Sequence, residues 1–267
     1  MFLLLSIIMV TTFGSVNNQN LKGGSFIYEH IREFSFNERE EYLRDRFLEG
    51  NIPQFFFEYR EVVTIQKDAN GVERELRFFV SPTYLSVGVD DDYYITPLSP
   101  MLAQQIADKY NSSLPTPKLV DIIYENSDLK LEPFNYIPRG RRNETEDLMY
   151  EHSKVIQAQI KASGSSYNTF VAGVKKDIVV SSKLADSNRD RHVTIYGWHR
   201  LSGKPIQPVS NVHINTYVDY SHGARFISKK LYIDNKIYNY EDVLRDPILS
   251  ALLNYDSYPL SKVKYEY

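Results

Sequence analysis

The spacing of apolar side chains in the first half of the chain is typical of helices. Ser35 and Glu38 match a capping box, and the periodic run that follows ends at Gly50. Two later runs each begin with a polar residue followed by proline, at Ser99 and at Thr116, which is a common start of a helix. The pattern predicts helices over residues 38–48, 100–110, 117–125 and 144–162.

Strand character appears between these helices and dominates the second half. The turn Asn70-Gly71 separates two runs rich in aromatic and β-branched residues, which predicts a β-hairpin over residues 55–80. A short strand follows at residues 84–89. Beyond Thr169 the pattern predicts strands at residues 169–181, 192–199, 211–220 and 225–234, and then a short helix at residues 240–253.

The number of domains follows from the length and evenness of the chain. Its 267 residues, 42% of them hydrophobic, are enough to build one sizeable core. No repeat, low-complexity tract or linker divides the sequence. We predict a single α+β domain over residues 20–267, with helices mainly in the first half and an antiparallel β-sheet in the second half.

The N-terminus carries a targeting pattern. An apolar run over residues 2–10 is followed by small residues and then by polar ones. This order predicts a signal peptide over residues 1–15 and a periplasmic or secreted protein. The apolar run is too short to cross a bilayer, so we expect no stable membrane insertion after the signal is removed.

Composition narrows the classes of function. The 31 basic and 34 acidic residues are nearly balanced and form no basic stripe, so we expect no nucleic-acid partner. The absence of cysteine excludes disulfides, zinc–thiolate sites and a cysteine nucleophile. The 21 tyrosines suit half-buried β-surfaces and also grooves that bind a glycan or a peptide.

Histidines are concentrated in one part of the chain. Four of the 6 lie between His192 and His222, together with the only tryptophan, Trp198. Histidine binds metals and transfers protons near neutral pH, which makes this stretch the candidate site. Alternation along residues 212–221 predicts one polar face formed by His213, Asn215, Tyr217, Asp219 and Ser221.

Three kinds of chemistry fit this face. Gly223 predicts a bulge that brings His222 to the side of His213 and Asp219. These three side chains, with a water molecule, could hold a divalent metal such as zinc. The same residues could instead catalyse proton transfer without a metal, or form a hydrogen-bonded network that only holds the bulge in place.

Two further residues are candidates for catalysis. His199 ends its predicted strand and could serve as a ligand or a general base. Ser221 could act as a nucleophile paired with His199 or His213. The surrounding sequence departs from the G-x-S-x-G elbow, because Asp219 occupies its first position and a strand is predicted where the elbow needs a helix.

Lys176 falls on the apolar face of its predicted strand. Burial of an unpaired ammonium costs several kcal/mol, so we expect Lys176 to be partly buried and to pair with a carboxylate, preferably Asp219. There it could stabilise an oxyanion or hold a substrate carboxylate. The alternative is that its ammonium reaches solvent at the edge of the sheet.

Several short segments resemble a family of exported bacterial proteins without an established activity. The resemblance rests on GNIP (residues 50–53), the run at residues 84–92, AQQIAD (103–108), LPT (114–116), KKD (175–177), IYGWH (195–199), PIQP (205–208) and DYSHG (219–223). Members often carry histidine where this chain has Val174. The resemblance covers most of the chain after the signal segment, and it implies one fold unit and export. It transfers no catalytic residue.

Two functions are compatible with these observations. The first is an exported hydrolase, an amidase or peptidase acting on cell-wall peptide or a related extracytoplasmic substrate. Its candidate site comprises Lys176, His199, His213, Asp219, Ser221 and His222. The second is a non-catalytic binding or structural module in which tyrosines and Trp198 line a groove for a glycan or a peptide.

Export is directly testable. We expect the mature chain to begin near residues 15–20, because signal peptidase cleaves after the small residues that follow the apolar run. Intact-mass measurement of protein from the native host checks this. Retention of Met1 in a cytoplasmic fraction would contradict it.

Overall fold

The computed structural model of the protein describes residues 21–136, 140–256 and 258–267. The predicted signal peptide lies outside the described residues. The described residues form a single α+β domain, as predicted. Its helices are Gly24–Ile31 (α1), Phe36–Leu48 (α2), Pro100–Lys109 (α3), Pro117–Asn126 (α4), Glu146–Ala162 (α5), Tyr240–Arg245 (α6) and Ser250–Leu253 (α7).

Helix starts are fixed by side-chain caps. The capping box between Ser35 and Glu38 is present at α2, and the hydroxyls of Ser99, Thr116 and Thr145 accept backbone N–H groups at α3, α4 and α5. The helices predicted over residues 38–48, 100–110, 117–125 and 144–162 are therefore confirmed. The helix predicted at residues 240–253 is instead two short helices, because Asp246 adopts an extended backbone before Pro247.

The strands are short and numerous. They are Arg60–Lys67 (β1), Glu73–Val80 (β2), Ser86–Val89 (β3), Asp92–Ile95 (β4), Ser112–Ser113 (β5), Leu129–Lys130 (β6), Val171–Ala172 (β7), Lys176–Ile178 (β8), Ile195–His199 (β9), Pro205–Ser210 (β10), His222–Gly223 (β11), Ile227–Ser228 (β12), Lys230–Ile233 (β13) and Lys236–Asn239 (β14). The hairpin predicted around Asn70-Gly71 is β1 and β2. Its first residues differ from the prediction, because Gln54–Phe57 form a turn of 3-10 helix.

These strands form two main sheets. In the larger sheet β2 pairs with β1 on one side and with β12 and β13 on the other, while β5 and β14 lie beyond them. The smaller sheet has the order β10-β9-β8-β11, and its pair β8 and β11 is parallel. Helix α4 packs on β9, whereas α1 and α5 pack on the hairpin of β3 and β4.

Several predicted strands differ from the structure. The strand predicted at residues 192–199 begins only at Ile195, and the one predicted at residues 225–234 is two strands, β12 and β13. Residues 211–220 do not form a strand, and the only ladder contact among them is an isolated bridge between Ile214 and His192. The segment forms turns instead, and one of them is closed by a hydrogen bond from the Tyr217 N–H to the carbonyl of Ile214. The strand predicted at residues 169–181 is split into β7 and β8, because Gly173 turns the chain with a φ of +98°.

The face assignment for residues 212–218 nevertheless holds in part. Val212 and Ile214 are exposed, whereas His213 and Tyr217 on the other side are half-buried. Val218 shares the alternation of Val212 and Ile214 but is buried. The polar side of this segment therefore faces the protein, and the apolar side faces solvent.

Close packing at Gly223 holds β11 against the rest of the molecule. A Cβ at this position would lie 2.6 Å from Cδ1 of Tyr84 and 2.9 Å from Cβ of Lys175. Both neighbours are buried, so neither can move away freely.

We expect Gly223→Ala to lower the free energy of unfolding by about 1–3 kcal/mol, the usual cost of overpacking. Thermal and urea unfolding measure this change. Gly164→Ala is the matched control, since Gly164 has a φ of +76° and open space around it, so only left-handed strain of about 1 kcal/mol applies. A Gly223→Ala variant as stable as the wild type would contradict the tight contact.

Candidate functional site

The smaller sheet brings three distant segments together. In its register Lys176 on β8 lies opposite Gly197 on β9 and opposite His222 on β11. The Lys176 N–H also donates to the carbonyl of Ser221 over 2.7 Å. The KKD, IYGWH and DYSHG segments are therefore neighbours in space.

Asp219 is the centre of the polar residues on this sheet. Its Oδ1 accepts the Ser221 N–H at 2.8 Å and the Ser221 hydroxyl at 2.5 Å, while Oδ2 accepts the Tyr217 hydroxyl at 3.1 Å. Burial raises the pKa of Asp219, but the positive charge that His222 carries at low pH, the charge of Lys176 and the two Ser221 hydrogen bonds together hold that pKa well below its usual range. Asp219 is therefore a buried carboxylate that stays ionised.

Lys176 lies where the sequence predicted it. Its side chain is 17% exposed, and its Nζ is 3.9 Å from Oδ2 of Asp219. The same ammonium lies 4.9 Å from the centroid of the Trp198 ring, within cation–π range. Lys176 is thus held between a carboxylate and an aromatic face, and it keeps some access to solvent.

His222 lies beside this carboxylate, and His213 is connected to it through Tyr217. Nε2 of His222 is 3.9 Å from Oδ1 of Asp219. The His213 ring stacks on Tyr217 with 4.2 Å between centroids, and Tyr217 in turn bonds Asp219. We call Lys176, His213, Tyr217, Asp219, Ser221 and His222 the Asp219 cluster.

Both histidines are neutral at pH 7. Burial, only partly opposed by the charge of Asp219, lowers the pKa of His222 to about 4. Burial likewise lowers the pKa of the half-buried His213. Neutral imidazole can accept a proton, and of the two rings His213 is the one with access to solvent.

The metal interpretation is not supported by the geometry. Within the described parts of the chain no group of three or more His, Asp or Glu side chains is arranged to hold a metal ion. His213, Asp219 and His222 come near one another, but both oxygens of Asp219 already accept hydrogen bonds from Ser221 and Tyr217. The structure does not bring the three together as a ligand set.

His199 does not join the Asp219 cluster. Its Nε2 lies 2.8 Å from Oδ1 of Asp121, and its ring stacks on Tyr124 at 4.6 Å. Tyr196 and Tyr255 also donate to Asp121. The sequence could not indicate this pair, because Asp121 is on α4 and 78 positions away.

Ser221 is not placed as a nucleophile. It is 1% exposed, and its hydroxyl donates to Asp219, with no contact to a histidine nitrogen among the described residues. Its backbone and hydroxyl together form a turn that fixes the Asp219 carboxylate. The residue is a positioning residue.

Lys175 is a functional candidate that the sequence reasoning missed. It is completely buried, and its Nζ donates to the carbonyl of Tyr220 over 2.5 Å. Burial lowers its pKa to about 7. Strand alternation pointed to Lys176 alone, but the turn at Gly173 interrupts that alternation, so both lysines face inward.

Trp198 carries backbone strain. Its φ is +58°, directly after Gly197 with a φ of +104°. An aromatic residue rarely adopts this left-handed region, and such strain of about 1–3 kcal/mol persists only where the surroundings enforce it. The strained residue is the one whose ring lies under Lys176.

Asp177 belongs to a separate cavity. Its Oδ2 accepts the Tyr84 hydroxyl at 3.1 Å, and its Oδ1, 3.9 Å from Nε of Arg225, has no hydrogen-bond partner among the described residues. Burial raises the pKa of Asp177 to about 6, although the charge of Arg225 opposes this. The cavity, which His199 and Tyr124 also line, has room for about one water molecule.

Among the described residues, no helix has the length and hydropathy needed to cross a bilayer.

Comparison with protein-family models, curated proteins and solved structures finds no match to this chain. The resemblance to exported bacterial proteins therefore stays a prediction.

Asp177 should make stability depend on pH. Its folded-state pKa of about 6 lies above the ordinary 3.8, so the folded protein binds the proton more tightly than the unfolded chain. The stabilisation from the protonated carboxyl is complete below about pH 4 and is lost as pH rises through about 6. Relative to wild type, Asp177→Asn should therefore gain on the order of 1–3 kcal/mol between about pH 4 and pH 7.

Urea unfolding of both proteins at the two pH values measures this difference. Asp128→Asn, at an exposed position, is the control and should show no such gain. An Asp177→Asn profile parallel to that of the wild type would show that folding does not raise the pKa of Asp177.

Proposed function

We propose that this protein is an exported hydrolase that cleaves an amide bond by acid–base chemistry at the Asp219 cluster, without a metal. The observation that carries the proposal is the set of groups around one buried carboxylate. A neutral imidazole, His213, and an ammonium, Lys176, are both partly open to solvent beside the ionised Asp219. A base and a cation that both reach solvent are groups that catalyse amide hydrolysis.

Each group has a defined role in the proposal. His213 takes a proton from a water molecule, and the oxygen of that water attacks the amide carbon. The carbonyl oxygen becomes negative and is stabilised by the Lys176 ammonium. When the carbon–nitrogen bond breaks, His213 returns its proton to the departing amine, so the products are a carboxylic acid and an amine.

Asp219 supports both groups without touching substrate. Its charge stabilises the imidazolium that His213 becomes during the reaction, since the carboxylate raises the pKa of that ring. It also holds the Lys176 ammonium at 3.9 Å. Tyr217 connects His213 to this carboxylate by stacking on one and bonding the other.

The substrate class follows from the predicted compartment. Outside the cytoplasm of a bacterium, cell-wall peptide is the amide substrate we propose, together with related extracytoplasmic peptides. The binding-module alternative has less support, because Trp198 is 6% exposed and is occupied by Lys176. A groove lined by this tryptophan would need its ring at the surface.

Removal of the base should abolish activity and preserve the fold. We expect His213→Gln to lower kcat by roughly 10²–10⁴-fold, the usual contribution of a general base. Its free energy of unfolding should change by only about 0.5–3 kcal/mol. Release of new amines from purified cell-wall peptide measures activity, and thermal unfolding measures stability.

Three comparisons sharpen this test. His30→Gln, at an exposed histidine outside the Asp219 cluster, should keep full activity. Ser221→Ala should keep part of the activity, because the hydroxyl positions Asp219 and does not attack the substrate. A metal chelator should have no effect. The proposal would be wrong if the wild-type protein hydrolysed no amide bond, or if the His213→Gln variant hydrolysed it at the full rate.

A further inference from the structure

Strand β1 forms an open edge of the larger sheet. It is eight residues long and pairs with β2 alone. Within the described residues no backbone hydrogen bond joins its other edge to another element; the next such bond along the chain is from the Ala69 N–H to the carbonyl of Ile248. A long strand with one free edge can add a further strand.

The exposed face of this edge is apolar in its centre and charged at its ends. Val63 is 48% exposed and Ile65 is 57% exposed, and the exposed Glu61 and Lys67 flank them. Natural sheets protect such an edge with prolines, inward charges or a bulge. The run of β1 contains no proline, and its pairing with β2 has no irregularity.

The other outer strands of this sheet differ. β5 has only two residues, and β14 has four and begins with Lys236. A short strand is one of the devices that prevent edge-to-edge pairing, whereas β1 offers eight residues. β1 is therefore the edge that is built to accept a partner.

The sequence of β1 is complementary to itself when two copies run antiparallel. With Thr64 opposite Thr64 of the second copy, Glu61 lies opposite Lys67 and Val63 lies opposite Ile65, and each pair occurs twice. All four side chains are on the same exposed face. Opposite charges and apolar side chains thus meet across the edge, as a two-fold interface requires.

We propose that two copies of this protein associate through β1, with Thr64 at the two-fold axis, to form one continuous sheet across the dimer. The interface is independent of the proposed hydrolase activity. A contact of one strand is at the small end of specific interfaces, so the dimer is reversible and depends on concentration.

Exchange of the charges tests the register. In the Glu61→Lys dimer a lysine faces a lysine at both symmetry-related pairs. In the Lys67→Glu dimer a glutamate faces a glutamate at both pairs. Each single variant should raise the dimer Kd by roughly 10–100-fold, because two attractive pairs become repulsive. The double variant Glu61→Lys/Lys67→Glu should restore the wild-type Kd. Sedimentation equilibrium of the full chain at low salt measures these constants.

Lys236→Glu on β14 is the matched control, since it changes an exposed charge at the other edge, and it should leave the Kd unchanged. Glu61 lies 3.6 Å from Arg77, and Lys67 faces Glu73 within the hairpin. Thermal unfolding of each variant therefore shows whether the fold is kept.

Cross-linking provides a second measurement that does not depend on charge. The chain contains no cysteine, so Thr64→Cys introduces a single thiol, and paired residues on adjacent strands lie within disulfide reach. Mild oxidation should link the copies of Thr64→Cys and should not link those of Lys236→Cys. A wild-type protein that stays monomeric at every concentration, single variants with unchanged Kd, or no cross-link at position 64 would each overturn the proposal.

Discussion

Asp219 is an ionised carboxylate buried in the protein. Such a group must be surrounded by hydrogen-bond donors and positive charge, and this requirement constrains the structure around it. Ser221 and Tyr217 supply hydrogen bonds and Lys176 supplies the charge. These partners come from two separate parts of the chain, so the requirement joins the 211–220 segment to β8. The same requirement explains why residues 212–217 turn their polar side inward and leave Val212 and Ile214 in solvent.

Glycine makes the close approach of these segments possible. Gly223 allows β11 to lie against Tyr84 and Lys175 in parallel pairing with β8. Gly197 turns the chain so that the strained Trp198 comes under Lys176. Backbone geometry and charge therefore act together here. The strain at Trp198 is maintained because the sheet on one side and the ammonium on the other both hold the residue in place.

Adjacent residues of β8 serve two different environments. Lys176 faces Asp219 and keeps some access to solvent, whereas Asp177 faces Tyr84, Arg225 and a narrow cavity. This division follows from the alternation of side chains along a strand. The carboxyls of Asp219 and Asp177 accordingly have pKa values shifted in opposite directions. The charge of Asp219 is stabilised by several partners, whereas Asp177 retains an oxygen without a hydrogen-bond partner among the described residues.

The sequence predicted the pairing of Lys176 with Asp219 from the cost of burying an unpaired ammonium. By itself it also determined the α+β class, helices α2 to α5 with their caps, and the β1–β2 hairpin. These follow from local rules, because a cap, a turn or the face of a strand involves residues a few positions apart. Only the tertiary structure decided that His199 binds Asp121, that Lys175 is buried and that residues 211–220 form no strand. Those outcomes depend on contacts between distant segments and on one glycine that interrupts strand alternation, and neither leaves a periodic signal in the sequence.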